Sequence, residues 1–293
     1  MNEPSSELKY LNLGCGRRFH SAWTNLDFVS SFPSVRAHNL LEGVPYADES
    51  FDVVYHSHVL EHFAREAAPA FLKECRRVLR PGGILRIAVP DLENIVRNYL
   101  HALDSARLGK EGWDSNYDWM LLELYDQTVR ERPGGGWSTY LSQEAIPNWE
   151  FIQKRVGAEA RELRAALRSQ LAESATSKPA LRTKVEFVFK NYRAIFRNKV
   201  AKALLPKAEY EAPQLGRFRR SGEIHQWMYD SYSLARLLRS VGFPEPRKVA
   251  ATESEIPDWA SYCLDNEPDG STYKPDSLFM EARKPFATGS GAI

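Results

Sequence analysis

The sequence predicts an α/β protein with a doubly wound, mostly parallel sheet that is interrupted by a large helical insertion. Between residues 8 and 91, short apolar segments alternate with a segment of helical periodicity, as in parallel strands joined by crossover helices. A Gly-x-Gly turn directly follows the first apolar segment. From residue 92 to residue 221 the alternation gives way to helical patterns, and mixed structure returns over residues 222–285.

The first strand is predicted at Tyr10–Leu13, and it ends in the turn Gly14-Cys15-Gly16. Because neither glycine carries a Cβ, the backbone can turn tightly there and lie close to a ligand. The next strand, Thr24–Asp27, ends in an acid that can accept hydrogen bonds from a ribose diol, as in nucleoside-type cofactor sites on doubly wound sheets. Cys15 is interpreted as a small filler of the turn rather than a nucleophile.

The turn differs from a dinucleotide-binding fingerprint in two ways. Gly16 is followed by Arg17-Arg18-Phe19-His20, so the third glycine is missing. Asp27 also comes about ten residues after the turn, against roughly twenty in that fingerprint. The site is therefore predicted to bind a nucleoside cofactor without a pyrophosphate.

The segment from residue 45 to residue 91 predicts a turn, a buried strand, a helix and a further strand. Helical spacing extends over residues 65–80, and Pro81 and Gly82 end that helix. The strand that follows is predicted over residues 84–91. Candidate helices of the insertion cover residues 92–102, 117–130, 158–173 and 183–205.

The C-terminal part predicts a helix over residues 231–241, which Asp230 and Ser231 can cap and Gly242 can end. Strands are predicted near residues 247–252 and at Ser277–Arg283. These patterns divide the chain into a cofactor-binding half at 1–91, a substrate-side insertion at 92–221 and a second part of the same domain at 222–285. The tail at 286–293 is small and polar and is expected to be disordered.

Several sequence blocks carry a resemblance to a known family. They are LNLGCG at residues 11–16, FDVVY at 51–55, HVLEH at 58–62, LRPGG at 79–83 and VPDL at 89–92. Together they resemble the class I S-adenosylmethionine-dependent methyltransferases over roughly residues 8–100. Later blocks at residues 222–230 and 273–282 resemble bacterial methyltransferases found among surface-polysaccharide enzymes.

The resemblance implies a seven-stranded, Rossmann-like methyltransferase sheet and S-adenosylmethionine as the cofactor. Gly14 and Gly16 would approach the amino-acid part of the donor, and Asp27 would bind the ribose hydroxyls. An asparagine stands at position 39, where many relatives carry an aspartate, and its amide oxygen can still accept from the adenine amine. The residues expected at the donor are Asn12, Gly14, Cys15, Gly16, Asp27, Phe28 over the adenine, Asn39, Leu40 and, at the methionine end, His56.

Methyl transfer from a sulfonium is an in-line displacement, so such an enzyme mainly holds donor and acceptor in a reactive geometry. If the acceptor is a hydroxyl, a base must take its proton, and a histidine or a carboxylate is the usual choice. Ligands of open α/β sheets bind beyond the carboxyl ends of the strands, where His225, His58 and Asp91 are expected. His225 is the preferred base, because a Trp-Met-Tyr segment near it could form an apolar wall around the acceptor, whereas Asp91 could simply cap the helix at Leu92.

The composition is that of an ordinary globular chain, with 293 residues, 43% hydrophobic content and a net charge of +1. No apolar run approaches the roughly eighteen residues that a membrane-spanning helix needs. The three cysteines are scattered and show neither a disulfide framework nor zinc spacing, so no metal is expected. The acidic, polar N-terminus is unlike a secretion signal, which favours a cytoplasmic protein.

Residues 178–220 contain twelve basic and three acidic residues. Over residues 183–205 the charges are interleaved with apolar residues at helical spacing, so this helix could rest on the anionic inner membrane or grip an acidic substrate. The alternative is a helix that packs its apolar face on the core and exposes its charges to solvent. Nucleic acid is not expected as a partner, because the rest of the chain is neutral to acidic and no recognition module is visible.

Two functions from different classes follow from these observations. The first is a methyltransferase that acts on a hydroxyl of a sugar or glycolipid intermediate in polysaccharide biosynthesis, with a small-molecule natural product or a peptide as alternative acceptors. The second is a non-catalytic protein of methyltransferase fold that uses the basic insertion to bind a membrane or a partner. The intact Gly-x-Gly turn and Asp27 favour the enzyme, since a binding module would have no need of them.

Overall fold

The computed structural model of the chain describes residues 8–30, 32–176, 202 and 204–286. Most of the basic helix expected over residues 183–205 lies outside these residues, and so does nearly all of the tail at 286–293. The strands are β1 (Tyr10–Leu13), β2 (Thr24–Asp27), β3 (Val35–Ala37), β4 (Phe51–Ser57), β5 (Leu79–Pro90), β6 (Arg247–Val249) and β7 (Ser277–Arg283). The helices are α1 (Ala68–Val78), α2 (Leu92–Arg107), α3 (Trp113–Leu121), α4 (Gln127–Val129), α5 (Gly135–Leu141), α6 (Trp149–Val156), α7 (Ala158–Thr176), α8 (Lys207–Arg219) and α9 (Ser231–Ser240).

Seven strands in the described part of the chain form one sheet with the order β3-β2-β1-β4-β5-β7-β6. The first five strands run parallel, and β7 runs antiparallel between β5 and β6. The prediction of a mostly parallel sheet is thereby confirmed. After β1 the chain moves outward to β3 and then returns to β4 on the other side of β1. The carboxyl ends of β1 and β4 therefore form the crevice in which such sheets bind their ligands.

The two faces of the sheet have separate cores, because successive side chains of a strand point to opposite faces. Val54 of β4 packs into one apolar cluster with Phe71 and Leu72 of α1. Tyr55, the next residue, packs into another cluster with Trp259, which lies between β6 and β7. Strand β4 is thus covered on both sides, and the residues after its carboxyl end are held by both layers.

The boundary between α1 and β5 differs from the prediction. The helix ends at Val78 and the strand begins at Leu79, several residues before the predicted start at residue 84. Leu79 pairs with Phe51 and Ile84 pairs with Val53, so the register shifts at a bulge between these pairs. The turn-forming residues that ended the predicted helix, Pro81 and Gly82, are accommodated in that bulge, where Gly82 has φ +79°.

The helices of the insertion build a core of their own around Trp119, Trp137 and Ile152. The helix predicted over residues 117–130 corresponds to α3, a π-helical turn at Leu122–Asp126 and α4. Helices α5, α6 and α8 were not predicted. Helix α5 begins in a run of glycines and α8 contains Pro213, and both residue types are unfavourable in helices. No helix in the described ranges is both long enough and apolar enough to span a bilayer.

Candidate active site

A cavity of about 470 Å³ lies at the crevice between β1 and β4 and is referred to below as the donor cavity. It is lined by Asn12 and the turn Gly14–Gly16 on the side of β1, and by Tyr55 and Ser57 on the side of β4. Its volume falls in the range of about 300–1,000 Å³ that small-molecule sites occupy. The cavity therefore lies where the sheet topology predicts a ligand.

The two glycines of the turn have different roles. Gly14 has φ +64°, and a Cβ on it would lie 2.3 Å from a methyl carbon of Val59. Gly16 has φ +55°, and no described atom lies within 4 Å of the position that its Cβ would take. Gly14 is therefore required for packing against the segment after β4, whereas Gly16 leaves open space in which a ligand can approach the backbone.

Asp27 is held at the carboxyl end of β2 by backbone groups. The Gly16 N–H donates to one carboxylate oxygen at 2.7 Å, and the Val29 N–H donates to the other at 3.2 Å. Asp27 does not line the donor cavity itself but lies beside its turn. The carboxylate is therefore oriented by the same turn that borders the cavity.

The residues expected around the adenine lie at the adjoining strand ends. Phe28 follows β2 and its side chain is 67% exposed, so it is free to cover a ligand. Asn39 caps the short turn Leu40–Glu42, and its side-chain oxygen accepts from the Leu41 N–H at 3.1 Å. This cap uses the amide oxygen that was expected to meet the adenine amine.

Asn12 and Cys15 complete the floor of the donor cavity. Asn12 is 1% exposed, and its side-chain oxygen has no hydrogen-bond partner among the described residues. An unpaired buried acceptor is costly, so a ligand that donates to it would be favoured. Burial and the Asp27 charge raise the pKa of the Cys15 thiol to about 12, which agrees with its interpretation as a filler.

His56 was expected at the methionine end of the donor, and the structure contradicts this expectation. Its ring is fully buried on the opposite face of β4, 5.2 Å from the ring of Phe71. The alternation of strand side chains sends Tyr55 and Ser57 to the donor cavity and His56 away from it. Neither ring nitrogen has a partner in the described part of the chain, and burial lowers the pKa of His56 to about 4.

We expect the protein to lose stability as the pH falls from about 6.5 to about 4. In this range His56 takes up a proton in the unfolded chain but not in the folded chain, where it is buried. At about 1.36 kcal/mol per pKa unit, His56 contributes up to about 3 kcal/mol to this loss. His225, whose pKa burial lowers to about 3, adds to it in the same direction. Urea unfolding of the wild type and of His56→Leu at several pH values measures the effect. The free energy of unfolding of His56→Leu should depend less steeply on pH than that of the wild type. An unchanged pH dependence would mean that a group other than His56 takes up the proton.

A second cavity of about 240 Å³, referred to below as the acceptor cavity, lies between the strand ends and the insertion. His58, His62 and His225 line one side of it, and Arg130 and Trp137 of the insertion line the other. The prediction that His58 and His225 lie beyond the strand ends thus agrees with their positions. The insertion supplies the remaining wall.

The donor cavity and the acceptor cavity meet at three residues that line both: His58, Glu159 and Lys274. The Lys274 ammonium lies 2.8 Å from a carboxylate oxygen of Glu159. This partly buried ion pair connects α7 to the segment before β7. Ligands in the two cavities would therefore both contact these side chains.

His58 is held between two partners. Its Nδ1 lies 3.1 Å from a carboxylate oxygen of Glu61, and its Nε2 lies 2.9 Å from the Ser277 hydroxyl. Glu61 is fully buried, and burial alone would raise its pKa. The hydrogen bond and charge of His58, with the nearby His225 and His62, outweigh burial and hold the pKa of Glu61 at about 2. Glu61 is therefore an ionised carboxylate that fixes the His58 ring.

His225 reaches the acceptor cavity from a distant part of the chain. Its backbone N–H donates to the Gln127 carbonyl at 2.9 Å, and its Nε2 lies 3.9 Å from a carboxylate oxygen of Glu61. Burial lowers its pKa to about 3, so the ring is neutral at neutral pH but is a poor proton acceptor. His225 stays a candidate for the base, and the geometry ranks His58 above it.

Asp91 lines neither cavity, which contradicts its expected role as a base. One carboxylate oxygen accepts from the Asn94 N–H at 3.1 Å and thereby caps α2. The other lies 3.2 Å from the Lys248 ammonium. Both oxygens are thus engaged within the protein, one of them in the capping role that the sequence allows.

Sequence reasoning missed Glu61, Glu159, Lys274 and Asp276 as site residues. Glu61 follows His58 by one turn in the block HVLEH, and this spacing was the available signal. Lys274 and Asp276 lie in the late block at residues 273–282. Glu159 begins a helix whose pattern gives no sign of its position, so only the packing of α7 identifies it.

Residues 11–87 match the model of the family described as Methyltransferase domain. A ubiquinone biosynthesis O-methyltransferase of Parvibaculum lavamentivorans is 33% identical over 106 residues, which cover 29% of this chain and 41% of that protein. A probable S-adenosylmethionine-dependent methyltransferase of Mycolicibacterium smegmatis is 44% identical over 57 residues, which cover 20% of this chain and 21% of that protein. The chain thus spans less than half the length of these relatives.

Among solved structures, this chain is similar to a 1,6-didemethyltoxoflavin-N1-methyltransferase of Burkholderia thailandensis with bound S-adenosylhomocysteine. The identity is 13%, the TM-score is 0.36, and the likeness covers 95% of this chain and 71% of the other. The family match covers residues 11–87, so this part of the chain is similar to a methyltransferase domain. This match and the relative from Mycolicibacterium smegmatis support the enzyme class and the cofactor expected from the sequence.

Proposed function

We propose that the protein transfers a methyl group from S-adenosylmethionine to a hydroxyl of a small polar acceptor, with His58 as the general base. The observation that carries this proposal is the position of His58. It lines both the donor cavity and the acceptor cavity, and a buried carboxylate fixes its ring. A base must lie within reach of the acceptor proton while the acceptor faces the donor, and His58 meets both conditions.

The residues around the donor cavity suit S-adenosylmethionine. When bound, this cofactor supplies an electrophilic methyl group on a positively charged sulfur. Asp27 would hold the ribose hydroxyls with the carboxylate that the Gly16 N–H orients. Asn12 offers its unpartnered oxygen to the amino-acid end, and Gly16 leaves the backbone accessible. These are the donor residues that the sequence predicts at the turn.

Glu61 sets the tautomer of the neutral His58 ring. An ionised carboxylate can only accept, so the Nδ1 atom of His58, which lies 3.1 Å from a Glu61 oxygen, is the ring nitrogen that carries the proton. The Nε2 atom then has a free lone pair, which receives the Ser277 hydroxyl. An acceptor hydroxyl that replaces Ser277 at this atom would give its proton to Nε2. His58 is thus the base, and Glu61 is the residue that positions it.

The acceptor cavity favours a small ligand that carries several hydroxyl groups. Its volume of about 240 Å³ is below the common range for drug-sized ligands, so the reacting unit is a single small group. Gln127, Arg130 and Ser138 offer polar groups, and Trp137 offers an aromatic ring. The indole N–H of Trp137 and one oxygen of Asp276 have no hydrogen-bond partner within the described residues. These features support a sugar or a sugar-containing glycolipid intermediate.

A second candidate acceptor is a phenol. The relative from Parvibaculum lavamentivorans is named for O-methylation in ubiquinone biosynthesis, and it aligns with part of this chain. A phenolic ring could stack on Trp137 and present its hydroxyl to His58. Natural products and peptides are further alternative acceptors, and the methyl-transfer screen described below can include them.

The proposal is tested in two steps with the full chain. Isothermal titration with S-adenosylhomocysteine measures the donor site, and an absence of binding at high micromolar concentration would contradict the enzyme. A methyl-transfer screen then compares nucleotide sugars and lipid-linked sugars with catechols and other phenols. Methylation of sugars alone supports the first acceptor class, and methylation of phenols alone replaces it with the second.

Asp27→Ala should weaken S-adenosylhomocysteine binding at least tenfold, because it removes a charged acceptor for two hydroxyls. Isothermal titration measures this change. The matched control is Asp104→Ala, since the side chain of Asp104 is 72% exposed on α2 and far from the turn in sequence. Unchanged affinity in folded Asp27→Ala would show that the ribose is held elsewhere.

A further inference from the structure

We propose that Glu61, His62 and His225 bind one divalent first-row transition-metal ion beside the acceptor cavity. The role of this ion in catalysis rests on the proposed function, whereas its binding does not. The three side chains offer one ligand atom each, and these atoms lie within 4.8 Å of one another. The site was not expected from the sequence, because its members come from two segments more than 160 positions apart.

The distances suit a shared ion. Two ligands bound to one ion at about 2.1 Å can lie at most about 4.2 Å apart. The Nε2 of His225 already lies 3.9 Å from a carboxylate oxygen of Glu61. The widest separation in the group, up to 4.8 Å, requires a side-chain shift of under about 1 Å.

The charge of the group also favours a cation. Glu61 is fully buried, and neither of its carboxylate oxygens has a hydrogen-bond partner of good geometry among the described residues. Its ion-pair contacts in the described part of the chain are to the imidazoles of His58 and His225, not to a lysine or an arginine. A buried carboxylate is costly unless a positive charge or a metal ion compensates it. A divalent ion would supply that charge.

Backbone hydrogen bonds hold the ligands in place. The Nδ1 of His62 lies 3.0 Å from the Ile224 carbonyl oxygen, so it carries a proton and leaves Nε2 free to bind an ion. Metal-binding histidines are commonly oriented in this way. The Gln226 and Trp227 N–H groups both donate to the Glu61 carbonyl, at 2.7 Å and 3.2 Å. The segment that carries His225 is therefore fixed directly to the segment that carries Glu61.

The ligand set selects the kind of ion. Two imidazoles and one carboxylate suit zinc, iron, cobalt or manganese, whereas magnesium and calcium prefer oxygen ligands. Three protein ligands leave coordination positions open, and the acceptor cavity borders them because His62 and His225 line it. An acceptor hydroxyl bound there would become more acidic and would be oriented next to His58.

The test uses the full chain after treatment with a chelator. Titration with Zn²⁺ by calorimetry and with Co²⁺ by visible absorption should show one equivalent bound. Glu61→Gln and His225→Asn should each weaken binding more than tenfold, since even outer partners of metal ligands commonly contribute that much. The control His101→Asn changes an exposed histidine of α2 and should bind as the wild type does. Circular dichroism confirms that each variant is folded.

Wild-type binding no tighter than that of folded Glu61→Gln would overturn the metal site. An equal loss of metal binding in His101→Asn would also overturn it, because the loss would then not be specific to the proposed ligands. S-adenosylhomocysteine titration separates this proposal from the proposed function. If the protein binds S-adenosylhomocysteine but no metal, the metal site is rejected and the proposed function stands. If it binds the metal but no S-adenosylhomocysteine, the metal site is supported and the methyltransferase function is contradicted.

Discussion

His58→Asn should lower the turnover of methyl transfer by about 10²–10⁴-fold and leave the affinity for S-adenosylhomocysteine nearly unchanged. His58 serves the acceptor as its base, whereas the donor is held by the turn at Gly14–Gly16 and by Asp27. Asparagine is a suitable replacement because His58 has φ +54°, and asparagine tolerates this left-handed conformation better than most residues. Single-turnover kinetics with a saturating donor measure the effect.

The control for this variant is His101→Asn, an exposed position on α2, which should keep the wild-type turnover. The acidic limb of the pH–rate profile should flatten in His58→Asn and persist in the control. His225→Asn decides between the two candidate bases. If His225→Asn loses the pH limb while His58→Asn keeps it, the base is His225 and the role of His58 is structural.

Arg86→Met should lower the free energy of unfolding by about 3–5 kcal/mol, because it leaves two buried carboxylates without their partner. The fully buried guanidinium of Arg86 lies 2.8 Å from Asp265 and 2.7 Å from Glu281. It also lies 4.2 Å from the centre of the Trp259 ring, in the core on one face of the sheet. Methionine fills similar space but supplies no charge. Urea unfolding at neutral pH measures the loss.

The matched control is Arg97→Met on the surface of α2. Arg97 pairs with Glu93 at 2.7 Å, but its side chain is 75% exposed, so the expected change is under about 1 kcal/mol. A similar small change in Arg86→Met would mean that the buried network does not stabilise the fold. Arg86→Met should also weaken the binding of S-adenosylhomocysteine. Asp265 accepts the Tyr55 hydroxyl at 2.6 Å, and Tyr55 lines the donor cavity.

Local sequence patterns were enough to predict the elements that build the donor side of the site. Strand β1 is a short apolar segment, and the glycines that end it are needed for a left-handed turn. The carboxylate at the end of β2 lies next to that turn in the chain and in space. Each of these features depends on neighbouring residues, so it is visible before the chain folds. The cap of α9 at Asp230 was predicted for the same reason and is present.

His56 and Asp91 show where such patterns fail. Both lie near the carboxyl end of a strand, and both were expected to reach a ligand. The face to which His56 points depends on the pairing of β4 with its neighbours, because a shift of one position moves every side chain to the other face. The Asp91 carboxylate is engaged by the Lys248 ammonium, and Lys248 lies on a strand 157 positions later in the chain.

The acceptor side was decided by tertiary structure. His58 and Glu61 are neighbours in the chain, but His225, Lys274 and the insertion meet them only when distant segments pack together. Burial then determines which groups are charged, as in the low pKa of His225. Charge, distance and accessibility at this cavity result from contacts between distant segments, and local periodicity carries no information about those contacts.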